Sequence, residues 1–282
     1  MDAPWDDPRV SALIDLALAE DLGVGDRTTQ ALVPAGARAR GRLCAKQAAV
    51  VCGLPLVERV FRRLGDVSVS VEAAEGTQAK PGQVLTTLEG PARVLLAGER
   101  VALNFVQHLC GIATLTRAYV ERVRGTALVI RDTRKTLPGL RALAKYAVRT
   151  GGGVNHRLGL DDAILIKDNH LALGGGDVAA AVRATRAAAP ALPVEIECRT
   201  VDEVERAATA APDLILLDNM RPEAIAAAVR LLAGRIPLEV SGGVTLADLP
   251  ALAALGIQLV AVGALTHSAP AADLNLKLEP LP

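Results

Sequence analysis

From about residue 126 the chain repeats one pattern. A short apolar run without polar alternation is followed by a longer stretch with apolar residues every three or four positions. The runs are ALVIRD, AILIKD, VEIEC, LILLD, LEVSGG and LVAVGA, and stretches such as TVDEVERAATAA and RPEAIAAAVRLLAG lie between them. Unbroken apolar runs of strand length, separated by helices, predict parallel strands buried on both faces. At or just past the strand ends stand Asp132, Lys167, Glu197, Asp218, Ser241 and Gly263. Topology places all of them on the C-terminal side of the sheet, where α/β barrels carry their active sites. Six strands are fewer than a closed barrel of this kind uses, so either the barrel is incomplete or further strands go uncounted.

Residues 1 to about 110 have a mixed α/β rhythm. SALIDLALAEDLG predicts a short amphipathic helix ending at Gly23, and GDRTTQALVP a loop rich in capping residues. RGRLCAKQAAVVCG predicts a strand pair, PLVERVFRRLG a helix, and VSVSVEAAEGTQAKPGQVLTTLEG alternating strands with turns. EGTQAKPGQVL is similar to the turns of biotinyl- or lipoyl-type domains, but Lys80 lacks the flanking residues of a carrier site and reads as a structural turn. A long, mostly buried helix follows over about Arg93 to Arg124, bridging the two regions. Near its start Arg100 adjoins Glu99, which on the residues alone reads as a surface ion pair.

Composition narrows the function. The 282 residues include 31 basic and 31 acidic side chains, with no net charge and 2% aromatics. General nucleic-acid or membrane-surface binding needs a basic excess, and base stacking needs aromatic platforms. Cys44, Cys52, Cys110 and Cys198 form no CxxC pair, which predicts reduced thiols in a cytoplasmic protein. MDAPWDDPRV has no apolar core of a signal peptide, and ALAALGIQLVAVGAL reads as helix end, turn and strand, not a membrane span.

The chemistry concentrates in RDTRKTLPGLRALAKYAVRTGGGVNHR. Pro138 predicts a helix first turn with Thr136 as its N-cap. Arg141, Lys145 and Arg149 fall opposite the apolar stripe and read as a solvated face. Arg134 and Lys135 lie instead in the strand-to-helix loop. A helix of about 12 residues is about 18 Å long, and the five residues GGGVN can extend about 17 Å. They can therefore return His156 and Arg157 to Arg134 and Lys135. Arginine's fork suits planar carboxylates, and lysine's point charge suits phosphate. Such a set predicts a ligand with both, and Glu197 and Asp218 among the anions then predict a divalent cation. SGGVT (Ser241, Gly242, Gly243) and VGALTHS (Gly263, His267) are loops able to cradle a phosphate after late strands. His108 and His170 read as structural.

DTRKTLPGLRALAKYAVRTGGGVNHRLGLDDAILIKDNH resembles the signature of quinolinate phosphoribosyltransferases. EDLGVGDRTT, ERVALNFVQHLCGIATLT, VEIEC, LILLDNM, EVSGGV and VGALTHSA extend the likeness from about Glu20 to Leu276. Asn155-His156-Arg157 and Lys167-Asp168-Asn169 separate it from the paralogue associated with molybdenum transport. The resemblance implies an N-terminal α/β sandwich with the bridging helix over residues 1–110, and a roughly six-stranded incomplete α/β barrel over 111–282. It implies conversion of quinolinate and phosphoribosyl pyrophosphate to nicotinate mononucleotide, pyrophosphate and carbon dioxide, with Mg²⁺, in de novo NAD biosynthesis. It also implies a homodimer.

Carried onto this chain, the resemblance gives Arg134, His156 and Arg157 to the quinolinate carboxylates, with Arg100 joining from the neighbouring subunit. Lys135 and Lys167 contact substrate and phosphoribosyl anions. Glu197 and Asp218 face the ribose hydroxyls and the metal, and Ser241, Gly242, Gly243 and Gly263 hold phosphate. Three rival readings differ in chemistry. A nicotinate-specific relative needs fewer cations, a Schiff-base lyase built on Lys167 leaves Arg134, His156 and Arg157 unexplained, and a sensor binds without turnover.

Overall fold

The computed structural model describes residues 3–282. It divides into two compact units, one of Met1–Arg117, Thr136–Gly152 and Leu265–Pro282, the other of Ala118–Lys135 and Gly153–Ala264.

The first unit is built on an antiparallel sheet of β1 (Arg38–Ala45), β3 (Ser68–Val71), β5 (Val84–Pro91) and β12 (Leu274–Pro280), in the order β12-β1-β5-β3. β1 alternates strictly between buried and more exposed positions, as a strand with one covered face should. A short ladder joins β2 (Ala49–Val50) to β4 (Gln78–Ala79). The two strands expected within RGRLCAKQAAVVCG both form, but they pair with other strands and not with each other. β12 closes the sheet from the far end of the chain, and its Leu-Asn-Leu-Lys-Leu alternation is a strand signal that the sequence reading passed over.

Helices α1 (Pro8–Leu22), α2 (Arg27–Leu32), α3 (Leu54–Leu64) and α5 (Arg141–Gly151) complete the unit with most of α4 (Ala92–Arg122). α2 corrects the expected loop: Asp26 caps it by accepting the Thr29 N–H at 2.9 Å. α5 starts four residues later than expected, with Leu140 at its N-cap in place of Thr136, because Pro138 and Gly139 (φ +77°) form the preceding turn. The polar face predicted for α5 is also corrected. Lys145 is fully buried, Arg141 and Arg149 are half-buried, and the Arg149 guanidinium lies 5.8 Å from the Tyr146 ring centre.

The second unit holds the six runs as parallel strands: β6 (Val129–Arg131), β7 (Ile164–Ile166), β8 (Val194–Cys198), β9 (Leu214–Asp218), β10 (Leu238–Ser241) and β11 (Leu259–Ala261). Their order is β6-β11-β10-β9-β8-β7. Among the described residues no ladder joins β6 to β7, so the barrel is incomplete. Helices α6 (Asp168–Leu173), α7 (Val178–Ala188), α8 (Val201–Ala208), α9 (Pro222–Leu232) and α10 (Leu249–Ala254) lie between the strands. Ile130, Ile196, Ile215, Leu217 and Val260 are essentially inaccessible, which accounts for the unbroken apolar runs.

One glycine shows how tightly the first unit is packed. A Cβ on Gly111, within α4, would lie 2.1 Å from the Pro270 carbonyl oxygen, and backbone cannot swing aside as a side-chain tip can. Gly111→Ala should lower the unfolding free energy by about 1–3 kcal/mol or more. Gly36→Ala, whose Cβ meets nothing within 4 Å, should stay within about 0.5 kcal/mol of wild type. Denaturant unfolding of the two variants checks this, and equal stabilities would contradict it.

Candidate active site

Inward-facing residues of the barrel strands form two tiers, because positions two apart on a strand share a face. The upper tier carries Lys167 just past β7, Glu197 on β8, Asp218 on β9 and Ser241 on β10. Facing the same way, two residues before each of these, stand Leu165, Glu195, Leu216 and Glu239 as a lower tier, with Arg131 and Ala261 paired on β6 and β11. A cavity of about 300 Å³ opens over these tiers, lined also by Thr133, Arg134, Lys135, His156 and Arg157.

The return of the Asn-His-Arg segment is built on Asp132. This fully buried carboxylate, at the end of β6, accepts Asn155 Nδ2 at 2.6 Å and the His156 N–H at 2.7 Å. Val154 adds a parallel bridge to Arg131. His156 and Arg157 thus stand in one cavity with Arg134 and Lys135, as the glycine-rich connection predicted. Arg157 donates to the Ala163 carbonyl at 3.0 Å.

The two guanidinium groups are not comfortable. Among the described residues, the Nε atoms of Arg134 and Arg157 are both buried without a hydrogen-bond partner. Burial, then the charge of Arg134, pull the Arg157 guanidinium below its usual proton affinity. Buried donors without acceptors are costly, and crowded like charges more so, so this pair is prepared for an anion.

The upper tier carries one cation and two carboxylates. Lys167 Nζ lies 3.1 Å from Glu197 Oε2, and Asn219 Nδ2 donates to Asp218 at 2.9 Å. The Lys167 N–H is capped by His170 Nδ1 at 2.9 Å, which gives His170 the structural role expected. Gly242 (φ +101°) and Gly243 (φ +62°) follow Ser241 in a left-handed turn, where successive N–H groups suit an anion. A Cβ on Gly242 would strike Asn219 Oδ1 at 2.2 Å. Gly263 follows β11, whose Ala261 lines the cavity.

Arg100 and His267 belong to the first unit. Arg100 is exposed on α4 and, among the described residues, forms no ion pair, with Glu99 or any other carboxylate. His267 Nδ1 and Ser268 Oγ are 2.5 Å apart.

The lower tier is what sequence reasoning missed. Glu239 pairs with Arg131, and His156 Nε2 lies 3.0 Å from Glu195 Oε2 and 3.9 Å from Glu239 Oε1. The signal was available: Glu195 is two residues before Glu197 in VEIEC, and Glu239 two before Ser241 in LEVS. His156, Glu195 and Glu239 offer ligand atoms within 4.8 Å of one another, but the Arg131 guanidinium already serves as the cation there.

Burial, reinforced by Glu195, pushes the Glu239 carboxyl up from 4.5 to about 7, against the opposing pull of Arg131 and His156. A carboxyl raised in the folded state contributes stability that is complete below its unfolded value and is lost as pH rises through about 7. The wild type should therefore lose on the order of 1–3 kcal/mol more than Glu239→Gln between about pH 5 and 8. Denaturant melts at both pH values test this, and identical pH slopes would contradict it.

Family models place this geometry. Residues 26–110 match the N-terminal domain of quinolinate phosphoribosyl transferase, and residues 112–277 its C-terminal domain. The chain is 48% identical over 269 residues to the nicotinate-nucleotide pyrophosphorylase [carboxylating] of Mycobacterium leprae, covering 93% of this chain and 94% of that one. It is 39% identical to the human protein of the same name, over 95% and 91% of the two chains. The crystal structure of NadC from Streptococcus pyogenes superposes with a TM-score of 0.92 at 40% identity, over 100% of this chain and 99% of that one. The chain belongs to the quinolinate phosphoribosyltransferase family.

Proposed function

We propose that the cavity performs decarboxylating phosphoribosyl transfer: quinolinate and phosphoribosyl pyrophosphate give nicotinate mononucleotide, pyrophosphate and carbon dioxide. The observation that carries this is the crowded pair of Arg134 and Arg157, each with a buried Nε lacking an acceptor. Two adjacent ring carboxylates supply one anionic partner to each guanidinium. A nicotinate-specific enzyme leaves one of them unmatched, and a Schiff-base lyase on Lys167 leaves both.

His156 completes the carboxylate end of the site, and Lys135 and Lys167 serve the phosphoribosyl anions. Glu197 and Asp218, on neighbouring strands, are positioned for the ribose hydroxyls. Ser241, Gly242, Gly243 and Gly263 offer backbone N–H groups to phosphate, and His267 keeps the phosphate role expected of its VGALTHS loop. Glu197 and Asp218 also fit Mg²⁺, since hard oxygen donors sharing one cavity suit an ion that keeps several waters. Such an ion would neutralise charge on the departing pyrophosphate.

Displacement at the anomeric carbon passes through an oxocarbenium-like state, so the clamp's task is to aim the pyridine nitrogen and exclude water. Once ribosylated, that nitrogen is cationic. It stabilises the electron pair left at C2 when carbon dioxide departs, until C2 takes up a proton. No covalent nucleophile is needed.

Arg100 is assigned to the neighbouring subunit's site in a homodimer, a role open to an exposed cation without an ion pair among the described residues. The compartment assigned is the cytoplasm, which suits four free cysteines. Among the described residues, no helix is long and apolar enough to cross a membrane.

Arg134→Ala and Arg157→Ala should each raise the quinolinate KM about 10-fold or more, the loss expected for a charge-assisted hydrogen bond. Wild-type kinetics in either variant would overturn the clamp. At a quinolinate concentration low enough that Arg100→Ala and Arg157→Ala each show little activity, mixing their subunits should restore about a quarter of wild-type activity, since half the dimers are mixed and each holds one intact site. No recovery after verified subunit exchange would place Arg100 in its own subunit's site.

A further inference from the structure

His156 is engaged at both ring nitrogens. Nδ1 accepts the Arg157 N–H at 2.7 Å, which leaves no proton on that atom. Nε2 lies 3.0 Å from Glu195 Oε2, and a carboxylate can only accept there. One tautomer satisfies both contacts, with the proton on Nε2.

Both partners of this relay are almost completely enclosed: the side chains of His156 and Glu195 are 7% and 9% exposed. The backbone N–H that Nδ1 holds belongs to the residue whose guanidinium is crowded by Arg134. A charge kept against repulsion needs a rigid mount, and Glu195 and His156 supply one from the barrel interior. Glu239 stands further off, 3.9 Å from Nε2, and is already paired with Arg131.

We propose that Glu195 is a positioning residue of the carboxylate clamp: it fixes the His156 tautomer, His156 fixes the Arg157 main chain, and the substrate carboxylates meet guanidinium groups in preference to imidazole nitrogens. This rests on quinolinate being the ligand of the cavity. It changes the part assigned to His156 from direct ligand to mount. It also explains a carboxylate two residues below Glu197, in a cavity meant for anions.

The test reads the histidine itself. Protein labelled with ¹⁵N-histidine, with His156 identified by comparison with His156→Gln, should show a protonated Nε2 and a bare Nδ1. The pattern should be the same with and without saturating quinolinate. A change in either nitrogen's protonation or hydrogen bonding on adding quinolinate would overturn the proposal.

Kinetics give a second, independent reading. Glu195→Gln keeps an oxygen acceptor for Nε2–H and should hold the quinolinate KM within about 3-fold of wild type. Glu195→Leu should raise it about 10-fold or more, with the phosphoribosyl pyrophosphate KM within about 2-fold. A folded Glu195→Leu variant with the wild-type quinolinate KM would sink the idea. If that variant does not fold, the spectrum of the wild-type protein still decides. Failure of the substrate assignment looks different, because the wild-type protein would then neither bind quinolinate nor turn it over.

Discussion

Like charges crowd at the mouth of the barrel, and burial makes the crowding expensive. Arg134 and Arg157 share a cavity with Lys135 and Lys167, and two guanidinium Nε atoms there have no acceptor. Alone, such a cluster would pull the loops apart or draw in water. The unit holds it by placing opposite charge beneath it and backbone constraint behind it. Glu197 takes Lys167, Asp132 anchors Asn155 and His156, and Glu195 and Glu239 lie in the tier below. The substrate's negative charge then completes an arrangement already strained toward it, which is how preorganised electrostatics favours binding and reaction together.

The sheet makes this possible because its two faces do different work. On β8, Val194, Ile196 and Cys198 are fully buried on one face, while Glu195 and Glu197 stack along the other. The same period places Glu239 below Ser241 and Leu216 below Asp218. Charged residues can stand so deep only because each carboxylate finds a cation, a histidine or a proton. Glu239, pushed up to about 7, takes the last of these in part.

Much of this was legible in the sequence. The six apolar runs became the six parallel strands, and four of their polar ends, Lys167, Glu197, Asp218 and Ser241, line one cavity. The glycine-rich link did bring His156 and Arg157 to Arg134 and Lys135. What escaped was tertiary. Lys145 sits at a polar position of α5 by helical period, yet is fully buried, and a period cannot reveal a neighbour that covers it. Thr136 looked like a cap, but Pro138 and Gly139 turn the chain first. Glu195 and Glu239 hid inside runs counted as apolar, where a lone acid reads as an interruption. Their shared face appears only when the strands are set side by side in register.

The most direct measurement is release of labelled carbon dioxide from the 2-carboxylate of quinolinate, with nicotinate offered in a parallel reaction. Release that requires the enzyme, phosphoribosyl pyrophosphate and Mg²⁺ together, with nicotinate left unconsumed, is the result predicted for a cavity that matches two guanidinium groups to two carboxylates. Ribosylation of nicotinate, or no release from quinolinate, would contradict it.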